Sequence, residues 1–177
     1  MDLALQITYL VGLLTLLGVS AVLVTRQVLR TRATEQRLTE LQRQVTAGEA
    51  TAADYYELGS IYLRKKLYVQ SVNYLQKALK GWDENDPVGL AKVYNALGFA
   101  YFSQEQYDLA IRQYREALKL QPDYVTALNN LGHAYEKKNL TAQALEVYEQ
   151  VLQIAPDNPT AKQRAASLRK RLAPTPS

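Results

Sequence analysis

The chain has 177 residues, a net charge of +4, no cysteine and one histidine, which excludes a disulfide framework, a thiolate nucleophile and a zinc–thiolate or His-rich metal site. Its eight glycines all fall in apolar, hinge, loop or repeat positions, so none is left for a phosphate-cradling loop. The charge excess sits in residues 159–177, where Lys162, Arg164, Arg169, Lys170 and Arg171 occur without an acid, so the basic stripe across a whole domain that nucleic acid requires is missing. Two readings of that tail stand: a solvated end helix, or a contact with anionic lipid or an acidic partner.

Residues 3–25 contain no charged side chain. A bilayer core takes about 20 mostly apolar residues as helix, and inside it every backbone group must bond internally. The stretch therefore predicts a transmembrane helix over residues 1–25. A cleaved signal peptide needs basic residues ahead of the apolar run, and only Asp2 stands there. The arginines come after it, at Arg26, Arg30, Arg32 and Arg37. Flanking cations stay on the cytoplasmic side, so the expected topology is single-pass, N-terminus out, with the rest of the chain on the cytoplasmic or stromal side. Thr8, Gly12 and Thr15 could form a small-residue packing face. Residues 26–51 form a helical linker ending near Gly48, with Leu38, Leu41 and Val45 at helical spacing. Three such positions are too few for a coiled coil, and a rigid spacer is the plain reading.

Past the linker the sequence repeats. Gly98 and Gly132 lie 34 residues apart, and with them Tyr94 aligns with Leu128, Leu97 with Leu131, Tyr101 with Tyr135, Ala110 with Ala144, Tyr114 with Tyr148 and Pro122 with Pro156. An earlier copy reads Tyr55, Leu58, Gly59, Tyr62, Tyr68, Ser71, Leu75, Ala78, followed by five extra residues within 81–87. This period and pattern resemble the tetratricopeptide repeat (TPR) family, a helix–turn–helix unit, over residues 52–158, as repeats 52–90, 91–124 and 125–158. The resemblance implies an all-α solenoid with helices near 52–65, 69–81, 89–103, 107–120, 125–138 and 141–154, and a polar capping helix near 159–172 followed by the basic tail. Small residues at Gly59, Gly98, Gly132, Ser71, Ala110 and Ala144 are expected where the two helices of a repeat approach, with leucines and tyrosines filling the space around them. Most of the 13 tyrosines are thereby core, and Gln113 is expected on the convex face.

In the TPR family the first helices of the repeats line the concave side, and ligands lie against their second, fifth, ninth, twelfth and thirteenth positions. These are Tyr56, Ser60, Leu63 and Arg64, then Lys92, Asn95, Phe99, Phe102 and Ser103, then Thr126, Asn129, His133, Glu136 and Lys137. The candidate protein-binding groove is Tyr56, Leu63, Asn95, Phe99, Phe102, Asn129, His133 and Lys137. Phe99 and Phe102 are the chain's two phenylalanines; an apolar patch flanked by amides suits a peptide, while Phe102 reads equally well as packing. TPRs that grip chaperone tails resemble one another in a lysine at the fifth position and an asparagine at the ninth position of the first repeat; Tyr56 and Ser60 stand there, which argues against that subclass. Trp82 has two readings, a lid over the second helix or a partner contact. No Ser, Cys or paired carboxylate is placed to work with His133, so no catalysis, cofactor, metal or small-molecule substrate is expected.

The whole layout, an uncharged anchor, an arginine cluster, the helical stretch through Arg37 and Leu41, three repeats and a short basic tail, resembles the small membrane-anchored TPR proteins of cyanobacteria and plastids that assist photosystem I assembly. That resemblance implies a scaffold that docks photosystem I subunits or assembly intermediates at the thylakoid. The alternative is a bacterial inner-membrane TPR adaptor for another membrane complex, in secretion, division or respiratory assembly.

Overall fold

A computed structural model describes residues 3–172; expectations resting on Asp2, on residues 173–177 and on the side chains of Thr8 and Arg30 lie outside the described residues. The described residues form eight helices and no strand. The chain divides into two units, Met1–Thr46 and Ala47–Ser177.

The first unit is carried by one helix, α1 (Leu3–Ala47). It is long and apolar enough to cross a membrane, and its apolar window is exposed along its whole length. Thr15 donates back to the carbonyl of Gly12 at 2.8 Å, and Thr31, Thr39 and Thr46 do the same one turn back, so these hydroxyls are satisfied within the helix. The helix ends just before Gly48, whose φ of +74° is the left-handed conformation that closes helices at a glycine.

The second unit is a solenoid: α2 (Ala52–Arg64), α3 (Tyr68–Gly81), α4 (Pro87–Phe102), α5 (Tyr107–Leu120), α6 (Val125–Lys137), α7 (Thr141–Ile154) and α8 (Pro159–Leu172). Each helix packs on the next in sequence, as a stack of hairpins must. In addition α2 touches α4 and α4 touches α6, while the second helices of the repeats have no comparable contact among the described residues. The stack therefore curves with the first helices on the inside.

Local chemistry sets the helix ends. Thr51 and Asp54 form a reciprocal capping box at the start of α2. Helix α4 starts two residues earlier than the repeat pattern predicts, because Asp86 caps it by accepting from the Gly89 amide at 2.8 Å and Pro87 sits in its first turn, where a missing N–H costs nothing. Between the two helices of each repeat, Lys66, Glu105 and Asn139 all take φ near +60°, and the next residue's amide closes the turn onto Tyr62, Tyr101 and Tyr135 at 2.9–3.0 Å. Three identical turns give three identical hairpins.

The glycines at the repeat position explain why the hairpins close so tightly. A Cβ on Gly98 would lie 2.6 Å from the Tyr114 ring, and one on Gly132 2.8 Å from the Tyr148 ring; in the first repeat Leu75 fills that place, 2.7 Å from where a Cβ on Gly59 would stand. Ser71 is buried there and donates to the Gly59 carbonyl at 2.8 Å. Tyr114, Tyr135 and Tyr148 are buried, and the other tyrosines of the solenoid are half-buried. Gln113 corrects the expectation of a convex, exposed side chain. It is only 5% exposed, because it occupies the α5 position that buried Val147 holds in α7, where the second helix meets its neighbours.

Candidate functional site: the inner face of the first helices

The inner face is written in the phase of α4. Val88, Lys92, Asn95, Phe99 and Phe102 recur at spacings of three and four, so they share one stripe of that helix. Along it, Val88 is 47% exposed and Phe99 42% exposed. Phe99 is the aromatic side chain of the solenoid that faces solvent most openly. An exposed ring on the same helix stripe as a second exposed apolar side chain is the kind of place where a protein segment can lie.

The other expected groove residues divide by what they touch. Phe102 is half-buried, with its ring 5.3 Å from Tyr107 and 4.8 Å from His133, so it joins α4 to α5 and α6. His133 is half-buried on that ring; burial first, then Arg164 and Lys137, push its pKa below the usual value against the opposing pull of Glu136. It therefore presents a neutral imidazole near neutral pH. Tyr56 meets Trp82 edge-on at 5.8 Å, and both Tyr56 and Leu63 pack against the cluster of Leu75, Leu97 and Ala100. Asn95 accepts from Asn130 at 3.0 Å and donates weakly to the Tyr124 hydroxyl at 3.5 Å. In Asn129 the Oδ1 is buried without a hydrogen-bond partner, which costs free energy. Lys137 is exposed. Phe99, Phe102, Asn129, His133 and Lys137 thus stay on the inner face of α4 and α6, whereas Tyr56 and Leu63 go mainly into packing.

Three features escaped the repeat pattern. The insertion after α3 is a built corner: the Trp82 indole N–H donates to Asp86 at 3.2 Å while Asp86 caps α4, and a Cβ on Gly89 would strike both side chains. This favours the lid reading of Trp82, with its ring closing onto Tyr56. Val88 was invisible because that insertion hides its place in the register. Finally, α8 continues the 34-residue period: Ala161, Ala165 and Leu168 are buried at the positions of Ala127, Leu131 and Ala134. The signal was present in the spacing but faint, since alanine and serine replace the larger repeat residues. Among the described residues no group of three His, Asp or Glu side chains gathers to hold a metal.

Comparison with known proteins agrees with this geometry. Tetratricopeptide repeat profiles match residues 55–80, 98–139 and 125–158. A protein named ycf37 from Guillardia theta is 38% identical over 130 residues, which cover 73% of this chain and 73% of that protein. The chain belongs to the ycf37 family of tetratricopeptide repeat proteins. A second ycf37 relative, from Cyanophora paradoxa, is 37% identical over 105 residues, covering 59% of this chain and 60% of that one. The chloroplastic tetratricopeptide repeat domain-containing protein PYG7 of Arabidopsis thaliana is 46% identical over 129 residues, 73% of this chain; the match spans 42% of that protein's length. Among solved structures, MamA superposes with a TM-score of 0.70 over 80% of this chain and 81% of its own at 23% identity. The first TPR domain of Spaghetti, bound to an HSP90 peptide, superposes with a TM-score of 0.64 over 70% of this chain and 94% of its own, also at 23% identity. These two likenesses concern the fold. This chain thus carries tetratricopeptide repeats, the kind of domain that binds protein partners, and α1 adds a helix long and apolar enough to cross a membrane.

Proposed function

We propose that this protein is a membrane-anchored docking scaffold that serves the assembly of photosystem I at the thylakoid, with its repeats on the cytoplasmic or stromal side. The observation that carries the docking part is the exposed Phe99 on the inner face of α4. Leaving aromatic area in water costs about 25 cal/mol per Å², and a partner segment that covers the ring recovers it. The photosystem part is supported by the resemblance in layout and by relatives that include a chloroplast protein. The cytoplasmic or stromal orientation is supported by the arginines that follow the uncharged run.

The test replaces the chromosomal copy in its host with Phe99→Ala plus Asn129→Ala, and purifies the tagged protein from gently solubilised membranes. Recovery of photosystem I subunits should drop by about tenfold or more, as expected when an anchoring aromatic worth about 2 kcal/mol is removed. Arg112→Ala, an exposed change on α5, should leave recovery unchanged. If the unaltered protein recovers no photosystem I subunit, the photosystem assignment fails; if the double variant recovers them as well as Arg112→Ala does, the inner face is not the docking surface.

A further inference from the structure

The last helix belongs to the docking surface in a way that a cap does not require. Its buried side chains Ala161, Ala165 and Leu168 repeat Ala127, Leu131 and Ala134 of α6, which repeat Val93, Leu97 and Ala100 of α4; all nine are buried. A second, polar observation gives the same register. Gln76 of α3 donates to the Tyr101 hydroxyl of α4 at 3.0 Å, and Arg115 of α5 donates to the Tyr135 hydroxyl of α6 at 2.7 Å. At the equivalent place Arg169 of α8 donates to Glu149 of α7 at 2.8 Å. Helix α8 is therefore seated on α7 as α6 is on α5, and is the first helix of a fourth repeat. Its residues in the phase of Asn129, His133, Glu136 and Lys137 are Gln163, Ser167, Lys170 and Arg171.

This placement has an electrostatic result. At the thirteenth position of successive first helices stand Arg64, Ser103, Lys137 and Arg171, and the three cations are exposed. Lys92 and Lys170 add charge of the same sign on the inner face. The acid at these inner positions is Glu136, and it already accepts from the Tyr148 hydroxyl at 2.8 Å and from Arg164 of α8 at 3.5 Å. The inner face thus carries a row of exposed cations along the last turns of its helices, besides the exposed Phe99.

We infer that α8 is the fourth row of the docking surface, and that the rim formed by Lys137, Lys170 and Arg171 binds an acidic stretch of the partner polypeptide whose apolar side chain rests on Phe99. This rests on the reading of the inner face as a protein-docking surface, and adds the sign of the partner's charge and the helix that reads it. The arrangement differs from a clamp in the first repeat, where Tyr56 and Ser60 offer no cation.

The experiment uses the full chain in detergent micelles and a phage-displayed library of random dodecapeptides. The selected peptides should be enriched in Asp and Glu around at least one apolar residue. A synthetic copy of the strongest should lose at least tenfold in affinity to the K137E/K170E/R171E variant, and show a smaller loss to K137Q/K170Q/R171Q and on raising the salt concentration. All variants are checked for unchanged helicity by circular dichroism; the glutamine variant alone decides if the reversal disturbs the fold. Selection of no peptide, or of peptides without acidic excess, overturns the inference, as does equal binding of the acidic peptide by the wild type and the glutamine variant. If Phe99→Ala abolishes binding while the charge variants do not, the inner-face reading survives and the acidic rim falls. If neither kind of variant matters, both fall.

Discussion

Gly98 is the residue at which the hairpin geometry is most exposed to test. Its missing Cβ leaves room for the Tyr114 ring, so Gly98→Leu forces the ring or the helix to move. Overpacking of this sort costs about 1–3 kcal/mol and sometimes more; urea unfolding followed by circular dichroism should show a loss of unfolding free energy of that size, while the same change at exposed Gly12, with nothing near its Cβ, should not. The tyrosines that fill these places predict a pH effect. Burial pushes the hydroxyl of Tyr114 above the usual value, and burial together with the bond to Glu136 does the same for Tyr148. A folded state that holds its proton more tightly than the unfolded chain has this stability in full below about pH 10, the ordinary tyrosine value, and loses it as pH rises through the alkaline range, by up to about 1.4 kcal/mol per pH unit for each tyrosine. Tyr114→Phe should make the alkaline decline shallower by one tyrosine's share. These residues were legible in the sequence because size recurs at a fixed spacing. Gln113 was not: a polar side chain reads as surface, and only the burial of its counterpart Val147 reveals the position. The Asn95–Asn130 pair was equally hidden, since hydrogen bonds between helices leave no periodic trace.

Whole elements were easier to read than single contacts. The 34-residue period placed six helices to within two residues, because small residues, tyrosines and prolines punctuate each hairpin at fixed offsets. Where the pattern is interrupted the reading blurred. The start of α4 moved because Asp86 and Pro87 supply a cap within the insertion, and α8 passed as a mere cover because Ala166 stands where glycine marks the other repeats. Helix α1 carries its own prediction. If residues 3–25 span the membrane, full-length protein stays with the membrane through a carbonate wash, and a chain lacking residues 1–25 is soluble with the circular dichroism of a folded helical protein. Protease added to the cytoplasmic face of sealed, correctly oriented vesicles should digest the repeats; protection there would reverse the topology. Release of the full chain by carbonate would remove the anchor.

For the molecule as a whole, the count of helices matters. Seven helices in the solenoid place four on the inner side and three on the outer. The outermost inner helix leans on α7 through three small or medium side chains and on α6 through Arg164, with no outer helix of its own behind it among the described residues. Such an end opens more readily than the rows before it, as exchange of its backbone amides for deuterium would report. A partner that settles on that row must first hold it still, so some of the free energy of its binding goes into ordering α8. The same feature makes the end of the solenoid a tuning element. Strengthening the seat of α8 would tighten attachment without touching a single group that meets the partner.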